Sequence, residues 1–183
     1  MTTATSLLLD TARRGELHHA ILLHGPMPAL LRDVAMRIAK TINCLNGSTG
    51  DDCMSCQRID RRIHPDVHFI EVGGERKLIS VEQIREIVSG AVMRPFEGRG
   101  KVFIIDPADA LSASGSNSLL KTLEEPARDT TFVLLTRSSE ASLILKGAIS
   151  ARGYAELEEW LGAQGGVTLV FRNVDARAYR VEP

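Results

Sequence analysis

Apolar residues recur along this chain in two patterns. The first has helical spacing: Leu7, Leu8 and Ala12 within residues 6–15; Leu31, Val34, Ala35, Ile38 and Ile42 within 30–42; Ile84, Ile87 and Val88 within 80–92; Leu119, Leu120 and Leu123 within 117–125. The second is a short continuous run, at 20–23, 102–105 and 131–136, as expected of strands buried on both faces. Residues 67–72 alternate instead. Ser80 with Gln83 three places on predicts a capping box, and Pro126 ends the last of these helices. Helices alternating with buried strands predict an α/β fold, a parallel sheet flanked by helices. Residues 44–56, rich in Asn, Gly, Ser, Thr and Asp, predict a loop, and 57–63 a short helix. Beyond Arg152 the pattern weakens to an expected helix over 155–161 and a strand over 167–171.

A length of 183 residues suits one domain with a short addition, placed here at 1–153 and 154–183. The net charge of -1 excludes a nucleic-acid binder by composition alone. No apolar run is long enough to span a membrane, and no basic leader precedes an apolar stretch, so a cytoplasmic location is expected. Three clustered cysteines do not make a secreted disulfide framework. Arg94, Arg99 and Lys101 gather around a loop, where they either meet a DNA backbone or are simply solvated.

The segment HGPMPALLR, His24 to Arg32, stands where a strand turns into a helix, the setting of a phosphate-binding loop. That loop needs G-x-x-x-x-G-K-[ST]: backbone N–H groups around the phosphates, a lysine on the outer ones, a hydroxyl on magnesium. Counted from Gly25, the second glycine is Leu30, the lysine Leu31 and the hydroxyl Arg32. Pro26 and Pro28 each remove a donor. What is left is a helix N-terminus, worth about 0.3–1 kcal/mol to an anion, too little to hold a nucleotide triphosphate. Leu30 and Leu31 are expected to pack the helix onto the sheet.

Several segments carry a resemblance: LHHAILLHGP, CMSCQRIDRRIHPDVHFIE, KVFIIDPAD and NSLLKTLEEP. Over residues 17–136 the chain resembles the clamp-loader subunits of bacterial DNA polymerase III, an AAA+ family with a P-loop NTPase fold. The degenerate loop makes it similar to the delta-prime type rather than the ATP-binding gamma/tau type. The resemblance implies a non-catalytic subunit that docks on ATP-binding gamma/tau-like subunits and a delta-like subunit, and through them serves the sliding clamp and primer-template DNA. An active P-loop ATPase and a zinc-dependent interaction module are the alternatives.

The resemblance also assigns roles to residues. Active members carry Asp-Glu after the strand KVFIID; here Asp106 stands but Pro107 replaces the catalytic glutamate, so no intrinsic ATPase is expected. Thr136 and Arg137 fall at a polar sensor position. The family's Ser-Arg-Cys arginine finger has Ser150-Ala151-Arg152-Gly153 as its nearest match, making Arg152 the candidate trans arginine; the other reading is an ordinary surface arginine. Four cysteines bind structural zinc in the family. Cys44, Cys53 and Cys56 match three positions and Gly50 falls on the fourth, with Asp51 or Asp52 available as an oxygen donor; three reduced thiols are the other reading. Lys121, Glu124 and Glu125 correspond to an intersubunit face. A lid remnant is expected around 155–161, and the family's helical collar has no counterpart in 154–183.

Overall fold

The computed structural model describes residues 3–73, 78–124, 127–137, 168–172 and 177–180. In chain order these form α1 (Thr3–Arg13), β1 (Ala20–His24), α2 (Pro28–Asn43), α3 (Met54–Asp60), β2 (Val67–Glu71), α4 (Val81–Ala91), β3 (Lys101–Asp106), a 3-10 turn at Ala108–Ala110, α5 (Ala113–Glu124), β4 (Thr130–Thr136), β5 (Thr168–Arg172) and β6 (Arg177–Arg180). The strands make one sheet in the order β2-β3-β4-β1-β6-β5. All neighbours run parallel except β5, which pairs antiparallel with β6.

Side chains of a strand alternate between faces, and this sheet is covered on both. Ile21 and Leu23 of β1, Val102 and Ile104 of β3, and Val133 and Leu135 of β4 pack under α1, α2 and α3. Phe103 and Ile105 of β3 and Phe132 and Leu134 of β4 point the other way, against Ile84 and Ile87 of α4 and Leu119 and Leu123 of α5. Every residue of β3 is buried, the apolar Val102–Ile105 run together with Lys101 and Asp106 at its two ends.

One helix face and two helix starts differ from the sequence expectation, each for a local reason. In α1 the buried residues are Thr5, Leu8, Leu9 and Ala12, an i, i+3, i+4, i+7 set. Leu7 lies off that face and is exposed. Helix α2 begins at Pro28, two residues before the expected Leu30, because proline fits the first helical position with its φ already set. Helix α5 begins at Ala113 rather than Asn117; the hydroxyl of Ser112 accepts from the Gly115 N–H and supplies the cap. The capping box at α4 forms as expected: Gln83 N–H donates to Ser80 Oγ, and Ser80 N–H to the Gln83 side chain. The strand expected at 167–171 is β5, and β6 lies between it and β1. The helix expected at 155–161 lies outside the described residues.

Candidate functional site: a remnant phosphate loop and a cysteine cluster

The C-terminal ends of β1, β3 and β4 meet the start of α2, where a nucleotide would bind in an open α/β sheet. Only Gly25, Pro26 and Met27 separate β1 from α2. Three of the N–H groups in this segment already have backbone partners. Gly25 donates to the Thr136 carbonyl at 3.2 Å, and Leu30 and Leu31 both donate to the Met27 carbonyl at 3.1 and 3.2 Å. Leu31 is buried in the core under α2, and Leu30 packs against it half-buried, as their apolar character implied. A cavity of about 300 Å³ remains, lined by residues that include Arg32, Asp106, Pro107, Thr136 and Arg137.

Both carboxylates of this region have intramolecular partners. Arg32 Nε donates to Asp106 Oδ2, and Thr136 Oγ1 donates to Asp109 Oδ1. The hydrogen bond from Arg32 to Asp106, and then the charge of that carboxylate, raise the guanidinium pKa further. Asp106 is therefore more than a polar strand end: it fastens β3 to α2.

The second cluster lies beyond the far end of α2. Cys44, Asp51, Cys53 and Cys56 each place a ligand atom within 4.8 Å of the others. Asp51 fills the gap left by Gly50, whereas Asp52 is exposed outside the cluster. The expected loop is cut short, since α3 begins at Met54 and carries Cys56 into the helix. Cys44 Sγ lies 3.9 Å from Cys53 Sγ and 3.4 Å from Asp51 Oδ1. Zinc–thiolate bonds of about 2.3 Å in a tetrahedron place sulfurs about 3.8 Å apart, so the cluster has the dimensions of a metal site. Asp51 is aimed by the Cys53 N–H at 2.9 Å and by Asn46 Nδ2 at 2.6 Å. These hydrogen bonds hold its carboxyl well below the usual range. Burial pushes the Cys56 thiol up to about 12. Burial acts the same way on Cys44, but hydrogen bonds from Ser48 and Asn46 outweigh it and lower that thiol. A cation shared by these sulfurs would favour their thiolate forms.

Sequence reasoning gave Asp66 no role, and it organises the loop before β3, beside the end of α2. Its carboxylate is fully buried and accepts from the N–H groups of Phe96 at 2.6 Å, Glu97 at 2.9 Å and Gly98 at 2.7 Å. Burial opposes its charge, but these three donors outweigh it and lower the carboxyl pKa. Asn43, the last residue of α2, exchanges two hydrogen bonds with Gly100. His64 Nδ1 accepts from the Asp66 N–H, and burial lowers the His64 pKa. The signal available in sequence was His-Pro-Asp facing a Gly-rich loop.

Two of the three basic residues at 94–101 have intramolecular partners. Arg99 donates to the carbonyls of Thr41 and Cys44, and buried Lys101 to that of Gly90. Lys101 is turned inward toward the end of α4, whereas Arg99 remains exposed while one of its nitrogens reaches the carbonyls at the end of α2. Lys121 and Glu124 lie on α5, while Glu125 and Arg152 lie outside the described residues.

Among known proteins, residues 2–152 match the family described as DNA polymerase III, delta subunit. DNA polymerase III subunit gamma of Buchnera aphidicola is 38% identical over 147 residues, covering 79% of this chain and 39% of that protein. Subunit delta' of Bacillus subtilis is 34% identical over 139 residues, covering 75% and 42%. The chain thus matches about two-fifths of the length of these relatives. A gamma-subunit-related protein of Thermotoga maritima superposes with a TM-score of 0.58 at 21% identity, covering 83% of this chain and 49% of that one, a likeness of fold. On these grounds the chain belongs to the DNA polymerase III delta-subunit family, within which it carries a delta-prime-like domain.

Proposed function

We propose that this protein is a non-catalytic, delta-prime-like subunit of a clamp loader, acting in the cytoplasm in DNA replication. It docks on ATP-binding gamma/tau-like subunits and a delta-like subunit, and reaches the sliding clamp and primer-template DNA through that assembly. One observation carries the reading: in the remnant loop the N–H groups of Gly25, Leu30 and Leu31 already hold backbone carbonyls, so these three donors are not open to a nucleotide's phosphates. Together with Pro107 in place of a general base, this supports a protein that completes a neighbour's site and owns none. Arg152 is the candidate for that contribution, with Lys121, Glu124 and Glu125 toward the intersubunit face. No helix among the described residues is long and apolar enough to cross a membrane.

The test mixes the chain with the gamma/tau and delta subunits of its own source, followed by size exclusion with light scattering and an ATPase assay. Co-elution, with ATPase that falls on Arg152→Ala and no hydrolysis by the chain alone, is the expected result. A chain that stays apart and changes nothing, or that hydrolyses ATP alone, overturns it.

The cysteine cluster favours a second property, compatible with the first. Cys44, Cys53 and Cys56 with Asp51 would hold a structural zinc ion, whose chemistry is to fix the segment from residue 44 to α3 without taking part in a reaction. The zinc-dependent interaction module predicts loss of partner binding on chelation.

A further inference from the structure

In a working nucleotide site of this type, a divalent ion sits between the hydroxyl at the start of the loop helix and the carboxylate at the end of the adjacent strand. Here Arg32 occupies the hydroxyl position in α2 and Asp106 is the carboxylate at the end of β3. They are bonded directly across 74 residues of sequence. The Asp106 side chain is only 10% exposed, that of Arg32 51%. A carboxylate that buried needs a positive partner, and among the described residues the recorded ion pair of Asp106 is with Arg32. The cavity beside them is lined by Pro28, Leu31, Pro107 and Leu135 as well as by polar groups.

We propose that Arg32 is a tethered cation taking the place of the divalent metal ion in this remnant site. A metal ion arrives with a nucleotide and leaves with it; a guanidinium is permanently charged and permanently attached. The arrangement of α2 against β3 is then independent of nucleotide and magnesium. This rests on reading Gly25 to Arg32 as a remnant phosphate loop. The test uses the chain alone, so its failure leaves the clamp-loader reading to be decided by the assembly experiment.

Four proteins are compared by urea unfolding, with and without millimolar MnCl₂: the unchanged chain, Arg32→Ser, Asp106→Asn and the double variant. Mn²⁺ binding is followed in parallel by electron paramagnetic resonance. The unchanged chain should neither bind Mn²⁺ at this site nor be stabilised by it. Arg32→Ser bares the carboxylate beside a hydroxyl, so it should lose stability, bind Mn²⁺ and recover part of the loss. Asp106→Asn should abolish that binding, and the double variant should be less destabilised than the sum of the singles by about fivefold in the folding equilibrium. Arg32→Lys keeps a cation and should fold without gaining Mn²⁺ binding, which guards against a variant that merely fails to fold. Additive single effects, or Arg32→Ser that ignores Mn²⁺, would overturn the proposal. So would Mn²⁺ binding by the unchanged chain that depends on Asp106.

Discussion

Arg99 Nη2 donates to the main-chain carbonyl of Cys44 at 2.9 Å. The loop that Asp66 holds is therefore fastened to the main chain of Cys44, the first cysteine of the cluster, and the two regions should respond together when either is disturbed.

Removing metal is the most direct disturbance. Chelation by EDTA should lower the thermal midpoint, and Co²⁺ should give the visible spectrum of a tetrahedral thiolate site. Asp51→Ala should weaken metal binding by about tenfold or more, and Asp51→Cys should strengthen it, since thiolates are the preferred partners of zinc. Equal affinities in all three proteins would remove Asp51 from the site.

Asp66→Asn tests the buried carboxylate. The amide keeps one acceptor oxygen and turns its NH₂ toward N–H groups that need an acceptor. Hydrogen bonds to a charged group contribute about 1.5–3 kcal/mol each, so a loss of about 2–4 kcal/mol is expected. Urea unfolding gives the number, and hydrogen exchange at Phe96, Glu97 and Gly98 should accelerate locally.

Gly98→Ala should destabilise through a collision. A Cβ on Gly98 would lie 2.4 Å from Asn43 Oδ1, and that side chain is fixed by its two bonds to Gly100. Overpacking of this kind costs about 1–3 kcal/mol. Gly47→Ala, with nothing within 4 Å, separates the effect, because its cost comes only from a φ of +67°. A Gly98→Ala protein as stable as the unchanged one would show that Asn43 can move aside.

Stability should fall on mild acidification. Burial lowers the pKa of His64, and burial followed by the charge of Lys101 lowers that of His68. The unfolded chain binds these protons more readily than the folded one. The stability gained by keeping both rings neutral is thus complete above about pH 6.5 and is lost as pH falls through the lowered folded values. Asp66, also lowered, adds a further loss at more acidic pH, below the ordinary carboxylate range. His68→Phe keeps a ring against Phe103, where the centroids are now 4.8 Å apart, and should flatten the first part of the curve. Urea midpoints measured from pH 8 to 5 would show it, and an unchanged slope would count against this assignment.

The sheet was legible in sequence because its strands are apolar on both faces, as at Val102 to Ile105, and no other element accepts such a run. The substitution of Leu31 at the lysine position was legible too, and the structure buries that side chain in the core. The partner of Arg32 was not: a charge at a position says nothing of a carboxylate 74 residues away. Asp51 and Asp52 could not be separated by spacing, because the Asn46 and Cys53 bonds that aim Asp51 depend on how the loop closes. Burial of Lys101 was not legible, because its partner, the Gly90 carbonyl, is reached only once α4 packs beside β3.

Helix α2 is held at both ends. Near its start Arg32 grips β3, and at its end Asn43 and Arg99 tie it to the loop before the same strand. Sixteen residues make a rod about 24 Å long, and sliding it by one residue, about 1.5 Å, would break the bonds at both ends together. The helix therefore has a single register on the sheet, like a bolt with a nut at each end. Any partner that docks along α2 would meet a surface whose register on the sheet does not change.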